Sequence, residues 1–173
     1  MEGPFYLEYY KDMYEKELKE MIAASKQAEK VILEIYNNNF EVEIKSDDSP
    51  VTAADKNADA LIRKILGEKF PDYGFLTEES IDTKERLSKE FIFIVDPVDG
   101  TKEFVSRNGQ FTTNIGLARN HELVAGVINL PTFGITYYAT KGGGAFRINK
   151  DGSVDIPEVL WNYMGGMKKL IKK

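Results

Sequence analysis

The 173-residue sequence contains no cysteine and only one histidine, His121. Without cysteine there is no disulfide framework, no thiolate nucleophile and no sulfur-ligated metal site, so any metal would be held by oxygen ligands. His121 lies in a turn-like segment where an exposed side chain is expected, so histidine-based acid–base catalysis is a poor hypothesis. The absence of cysteine also agrees with a cytoplasmic protein.

Surplus positive charge and long apolar runs are absent as well. Lys and Arg total 23 against 28 Asp and Glu, a formal net charge of −5 that disfavours non-specific nucleic-acid binding. No apolar run approaches the length needed to span a bilayer, and Met1–Pro4 lacks the basic start of a secretory signal. No Gly-x-x-x-x-Gly-Lys-Ser/Thr loop is present, which argues against a P-loop nucleotidase. We therefore predict neither a nucleic-acid nor a membrane partner.

The length allows one hydrophobic core and a tail, which we assign to an α+β domain over residues 1–150 and an amphipathic segment over residues 151–173. Apolar residues at helical spacing predict a long helix from about Tyr6 to Tyr36. A capping-box variant at Thr52 and Asp55 predicts the start of a second helix.

Closely spaced runs of alternating residues predict a series of strands. These strands are Phe40–Ile44, Phe75–Thr77, Phe91–Val95, Phe111–Ala118, Leu123–Leu130, Ile135–Ala139 and Ala145–Ile148. The connecting segment Ser46–Pro50 is predicted to be a loop, and Lys84–Lys89 a short helix or a loop. Two helices followed by a run of strands predict two long helices packed on one face of a mostly antiparallel sheet.

The segment Asp96–Phe104 carries the most chemistry, because it follows the apolar strand Phe91–Val95 and places Asp96, Asp99 and the hydroxyl of Thr101 in one turn. The strand delivers Asp96 to its C-terminal end, where proline and glycine shape the backbone so that both acids can face one point. Carboxylate and carbonyl oxygens suit Mg²⁺. Asp-Pro-x-Asp-Gly is, on its own, also ordinary turn chemistry.

Three further segments accompany this one in a fixed order: Lys45–Asp55, Phe75–Ser80 and Arg107–Ile115. Together the four segments resemble the inositol monophosphatase superfamily of metal-dependent phosphatases, up to about Phe146. Thr101–Phe104 with Arg107–Gly109 looks like its 3′(2′),5′-bisphosphate nucleotidase branch. The resemblance implies the N-terminal half of the sugar phosphatase fold shared by inositol monophosphatase and fructose-1,6-bisphosphatase, with the C-terminal domain absent.

The same resemblance implies hydrolysis of the 3′-phosphate of 3′-phosphoadenosine 5′-phosphate, a small phosphorylated substrate, by a water that two or three Mg²⁺ ions activate. The implied metal ligands are Glu78, Asp96, Asp99 and the backbone carbonyl of Val98. Asp47 is implied to help hold a further metal and its water. Thr101 would orient that water, and the backbone N–H groups of Gly100 and Thr101 would lie near the phosphate.

Several of these residues have a second interpretation. Asp47 could be a solvated loop acid, and Glu79 is expected at the surface or beside the ligands. Asp55 fits a helix cap as well as a site residue. Arg107 could neutralise substrate phosphate or pair with Glu103.

Relatives continue for about another domain, which supplies an Asp ligand within a Trp-Asp-x-Ala-Ala-Gly-like segment. The only echo here is Trp161–Gly166, in which Asn162 stands where that Asp would be. We therefore expect a largely inactive short form that covers its incomplete face by forming a homodimer. The alternatives are an inositol monophosphatase and a non-catalytic metal-binding domain.

Overall fold

The helices and strands lie within residues 14–46, 50–82 and 84–156, which are the residues described by the computed structural model. The helices are α1 (Glu15–Asn37), α2 (Ala53–Lys69) and the short α3 (Thr101–Val105), with a 3₁₀ turn at Glu85–Ser88. The strands are β1 (Val42–Ile44), β2 (Pro50–Thr52), β3 (Gly74–Thr77), β4 (Phe91–Asp99), β5 (Thr112–Arg119), β6 (Glu122–Leu130), β7 (Ile135–Thr140), β8 (Gly144–Ile148) and β9 (Val154–Asp155).

Strands β3 to β9 form one sheet in chain order, while β1 and β2 form a separate antiparallel pair. The β3–β4 pairing is parallel, and every later pairing in the sheet is antiparallel. Helices α1 and α2 pack on one face of this sheet and share a core with it. The predicted fold class, helices on a mostly antiparallel sheet, is confirmed.

Small and aliphatic side chains let α1 approach the sheet closely, since Met21, Ala24, Ala28 and Ile32 are fully buried. The start of α2 has the predicted capping box, in which Asp55 accepts a 2.8 Å hydrogen bond from the backbone N–H of its cap residue. No helix in the described part of the chain is long and apolar enough to cross a membrane.

Each predicted strand is present, with boundaries shifted by a few residues. Pro50 is not in a loop as predicted. It pairs with Ile44 and begins β2, an edge position where a missing N–H is tolerated. Helix α3 and strands β2 and β9 were not predicted. The beginning of the first predicted helix and all but the first residues of the predicted tail lie outside the described residues, and the domain boundary at residue 150 stays a prediction.

The face of the sheet opposite α1 and α2, here called the outer face, carries exposed apolar side chains. Ile94 is 41% exposed, Leu123 62% and Ile128 47%. Ile94 lies two residues before Asp96, and Ile128 pairs with Asn114, which in turn pairs with Asp96. Because side chains alternate along a strand and paired residues share a face, this apolar surface lies on the same side of the sheet as Asp96.

Candidate active site

An irregularity in β4 brings Asp96 and Asp99 to the same face of the sheet. Asp96 pairs with Asn114 and Asp99 with Thr112, so β4 has one more residue than β5 over this interval. Side chains three residues apart in a regular strand point to opposite faces, and the extra residue restores them to one face. Asn114, which pairs with Asp96 across the two strands, also donates a hydrogen bond from Nδ2 to Asp99 Oδ2 at 2.9 Å. The bulge therefore sets the relation between the two acids.

Pro97 lies inside this bulge, where its missing N–H leaves no unpaired donor in the sheet. Its carbonyl accepts a 2.9 Å hydrogen bond from Thr113 Oγ1, and Thr113 is fully buried. The sequence predicted that the turn begins at Asp96, but β4 remains extended through Asp99 and the chain turns at Gly100, whose φ is +95°. That prediction is corrected because pairing with β5 continues past the proline.

Glu78 reaches the site because β3 is parallel to β4. Thr77 pairs with Val95, and the backbone N–H of Glu78 donates to Val95 O at 3.2 Å. Parallel strands run in the same direction, so the residues that come after a paired position lie at the same level of the sheet. Glu78 comes after Thr77 and Asp96 comes after Val95, which puts both acids at the same edge. Glu78 adds a third carboxylate to this edge.

The hydroxyl of Thr101 lies between two acceptors, 3.1 Å from Asp55 Oδ1 and 3.1 Å from Val98 O. It carries one hydrogen and can donate to one of them at a time. Asp55 is only 2% exposed, and its other oxygen accepts from the backbone N–H and the hydroxyl of Thr52. Asp55 therefore meets both interpretations that the sequence left open, since one oxygen caps α2 and the other contacts Thr101.

Lys45 is a neighbour of the acids to which the sequence pattern assigned no role. Its Nζ lies 2.5 Å from Glu79 Oε1 and 3.1 Å from Glu78 Oε1. The Glu79 side chain is 7% exposed, so of its two predicted positions the surface one is wrong, and Glu79 lies beside the predicted ligand Glu78 on the shared Lys45. Lys45 directly follows β1, but the two glutamates are more than thirty residues away, so only the fold reveals this pairing.

The site has surplus negative charge in partly buried surroundings. Burial, followed by the charges of Glu78 and Asp99, raises the pKa of Asp96 to about 7. Burial also raises the pKa of Glu79, although the Lys45 ammonium opposes this shift. Burial alone would lower the pKa of Lys45, but hydrogen bonds to Glu79 and Glu78 raise it. Groups near a neutral pKa and close to like charges are typical of sites that bind cations.

One atom points to what the site can hold. Asp96 Oδ1 is buried and has no hydrogen-bond partner within the described residues. A buried carboxylate oxygen is normally paired or bound to a metal, so this donor set fits a hard divalent cation such as Mg²⁺. No three Asp, Glu or His side chains of the described chain are close enough to enclose an ion as they stand, and Glu78 is held by Lys45.

The structure thus gathers most of the predicted site residues at one edge of the sheet. Glu78, Asp96 and Asp99 interact electrostatically, and the Val98 carbonyl is within reach of Thr101. Gly100, in a left-handed conformation, forms the turn between Val98 and Thr101. Asp47 lies outside the described residues, so its predicted role stays untested.

Arg107 is not paired with Glu103 in the structure, and its predicted role toward a substrate phosphate stays a prediction. Its guanidinium donates to the backbone carbonyls of Tyr36 and Asn38, the latter at 2.6 Å. His121 is exposed as predicted, in a hairpin turn where its φ is +68°.

Comparison with known proteins gives one consistent result. Residues 13–158 match the model of the family described as the inositol monophosphatase family. A 3′(2′),5′-bisphosphate nucleotidase CysQ from Salmonella typhimurium is 39% identical over 128 residues, covering 72% of this chain and 52% of the relative. A histidinol-phosphatase from Chlorobaculum parvum is 35% identical over 131 residues, covering 75% of this chain and 50% of the relative.

Solved structures agree with the sequence relatives. The protein in the crystal structure of CysQ from Bacteroides thetaiotaomicron, a bacterial member of the inositol monophosphatase family, is 37% identical, with a TM-score of 0.68. The match covers 79% of this chain and 50% of that structure. The chain therefore spans about half the length of the curated relatives it matches.

Proposed function

The chain belongs to the inositol monophosphatase family, and on that basis we propose that it is a Mg²⁺-dependent phosphomonoesterase of the 3′(2′),5′-bisphosphate nucleotidase type. The observation that carries the proposal is that the charges of Glu78 and Asp99 act on Asp96 at one edge of the sheet, where Asp96 Oδ1 is buried and has no hydrogen-bond partner among the described residues. The CysQ relatives support the substrate class, a bisphosphorylated nucleoside.

We assign the metal to Glu78, Asp96, Asp99 and the carbonyl of Val98, with two or three ions as the expected number. A bound Mg²⁺ would neutralise the anionic phosphate, polarise a water ligand and stabilise the charge that develops on the leaving oxygen. These oxygen donors suit that ion, since a hard cation prefers carboxylate and carbonyl ligands. Asp47 keeps its predicted role in holding a further ion.

The chain's own contribution to the reaction is to position water and phosphate. When the Thr101 hydroxyl donates to Asp55, its oxygen lone pairs remain free to accept a hydrogen bond from a water molecule. Asp55 is itself held by Thr52 and cannot turn away without uncapping α2. Gly100 and Thr101 present backbone N–H groups to the phosphate in this proposal.

The purified chain tests the proposal directly. Because it spans about half the length of its relatives, we expect low absolute rates, so the order of preference among substrates is the quantity to compare. With Mg²⁺ present, we expect kcat/KM for 3′-phosphoadenosine 5′-phosphate to exceed that for inositol 1-phosphate by about tenfold or more, because polar contacts made to the bisphosphate lack partners in the wrong substrate. Histidinol phosphate is the third substrate to compare, since a histidinol-phosphatase is among the relatives. A ratio at or below one would favour the inositol monophosphatase alternative. Metal binding without turnover of any of the three would favour a non-catalytic metal-binding domain.

The predicted homodimer can be tested independently of activity. A second copy would cover the exposed side chains of Ile94, Leu123 and Ile128 on the outer face. Light scattering should then report twice the chain mass of 19.6 kDa, and an Ile128→Lys variant should return toward a single chain. A wild-type mass of one chain at high protein concentration would contradict the prediction.

A further inference from the structure

We propose that Arg107 is a positioning residue that fixes the segment Gly100–Phe104 against the end of helix α1, and that it does not bind the substrate. The inference rests on the proposed function, because it assigns a role within that site. It replaces the phosphate-binding role that the position of Arg107 beside the acidic turn suggests.

The C-terminal end of α1 needs hydrogen-bond donors from elsewhere in the chain. The last four carbonyls of a helix lack partners within it, and a cation there is favourable, yet the last turn of α1 contains no basic residue. Arg107 supplies that cation from 71 residues away, donating to Tyr36 O and, at 2.6 Å, to Asn38 O. Both donor groups used in these contacts are therefore engaged by the helix end.

The Arg107 side chain also packs against aromatic rings. The Arg107 guanidinium lies 4.9 Å from the ring centroid of Phe40 and 5.8 Å from that of Tyr36. The same two rings lie 5.0 and 5.1 Å from the ring of Phe104, which is fully buried. A planar guanidinium can lie flat on rings while its in-plane N–H groups donate two hydrogen bonds, a geometry that the compact ammonium of lysine does not reproduce. Arg107 thus closes the aromatic cluster in which Phe104 is anchored.

Backbone hydrogen bonds connect this aromatic cluster to the candidate site. The backbone N–H of Phe104 donates to Gly100 O at 2.9 Å, and that of Arg107 donates to Phe104 O at 3.1 Å. Thr101 lies within this hydrogen-bonded turn. Arg107 has a φ of +58°, a left-handed conformation that is unfavourable for a residue with a side chain and so requires contacts to hold it. The side-chain contacts with the end of α1 add to its backbone hydrogen bond with Phe104 in holding it.

The test compares Arg107→Gln and Arg107→Lys with Arg119→Gln as a matched control. Arg119 also stacks on a ring, 5.4 Å from the centroid of Phe91, and pairs with Glu90, but it pairs in the sheet with the first residue of β4, at the opposite end from Asp99. For Arg107→Gln we expect kcat to fall about 10- to 100-fold with KM within about twofold, since misplacement of a reacting group by an ångström has effects of that size. Arg107→Lys should recover part of the loss, and Arg119→Gln should retain wild-type kinetics.

Amide hydrogen exchange provides a readout that needs no activity. Arg107→Gln should speed exchange at least about tenfold in residues 101–108 and 35–40, with β6 and β7 unchanged. Unchanged exchange in both segments would overturn the inference. A tenfold rise in KM with kcat intact would also overturn it, because Arg107 would then be binding the substrate. If the wild-type chain shows no turnover, the proposed function fails, while faster exchange in the variant would still support the positioning role.

Discussion

Replacing Asp96 by asparagine should abolish Mg²⁺ binding and, at the same time, make the metal-free protein more stable at pH 8. The loss of binding follows because Asp96 Oδ1, which is buried without a partner among the described residues, belongs to a proposed ligand whose charge the substitution removes while preserving its size. Substituting groups that only support a metal ligand weakens affinity 10- to 100-fold, so the dissociation constant should rise by about 100-fold or more when a ligand itself is lost.

The gain in stability follows from the sign of the pKa shift. Burial and the neighbouring charges raise the pKa of Asp96 from an ordinary 3.8 to about 7. Between roughly pH 4 and pH 7 the folded chain therefore holds a proton on Asp96 that the unfolded chain has released, so the wild-type free energy of unfolding falls as pH rises through this window. Asparagine carries no charge, so the fall should be smaller in the variant and its unfolding temperature at pH 8 should be higher by a few degrees.

Calorimetric titration with Mg²⁺ and thermal unfolding at pH 5 and pH 8 measure both effects. Asp82→Asn is the control, because Asp82 pairs with Arg86 away from the site and its pKa is lowered by that partner. The control should bind Mg²⁺ normally and should gain no stability at pH 8. Wild-type Mg²⁺ affinity in Asp96→Asn would refute the metal assignment. A loss of both stability and affinity would mean that the substitution simply disrupts the fold.

Thr101→Val should lower kcat by about 100-fold or more while leaving Mg²⁺ affinity within about threefold of wild type. Valine keeps the shape of the side chain but cannot accept a hydrogen bond from water or donate to Asp55 Oδ1. Losing the group that orients a reacting water removes a contribution of roughly 10²- to 10⁴-fold. Asp55 Oδ1 would lose its donor, which should lower the free energy of unfolding by about 1–3 kcal/mol.

Steady-state kinetics, metal titration and urea unfolding of the variant separate these effects. Thr132→Val is the matched control. The Thr132 hydroxyl donates to a backbone carbonyl, that of Gly109, at 2.7 Å, and this hydrogen bond does not involve the acids. The control should keep wild-type kcat. If Thr101→Val retained full kcat, Thr101 would have only a structural role in the turn.

The sequence correctly predicted the features that depend on residues close together along the chain. The capping box of Thr52 and Asp55 and the alternating strands follow from spacing alone, and the structure contains them. The bulge between Asp96 and Asp99 depends on how β5 pairs with β4, so the sequence predicted a turn where the strand continues. Pro97 made that prediction reasonable, since proline more often marks a turn than the inside of a paired strand.

The remaining differences come from contacts between distant parts of the chain. Lys45 pairs with glutamates 33 and 34 residues away, and Asp55 meets Thr101 across 46 residues. No periodicity encodes such pairs, because each depends on where the sheet and α2 place their ends. Arg107 shows this most clearly, since the sequence suggested a substrate phosphate or Glu103 as its partner and gave no sign of the contacts that it makes with the end of α1.

The distance along the chain between Arg107 and Tyr36 also has a consequence for folding during synthesis. At about 5–20 residues per second, the ribosome needs roughly 4–14 s to add the 71 residues that separate them. Until then the end of α1 has no cation and its aromatic side chains have no Phe104 to pack against. Helix α1 is therefore complete before the loop that carries Arg107, between α3 and β5, has been made. This interval is when a chaperone would have most access to the end of α1.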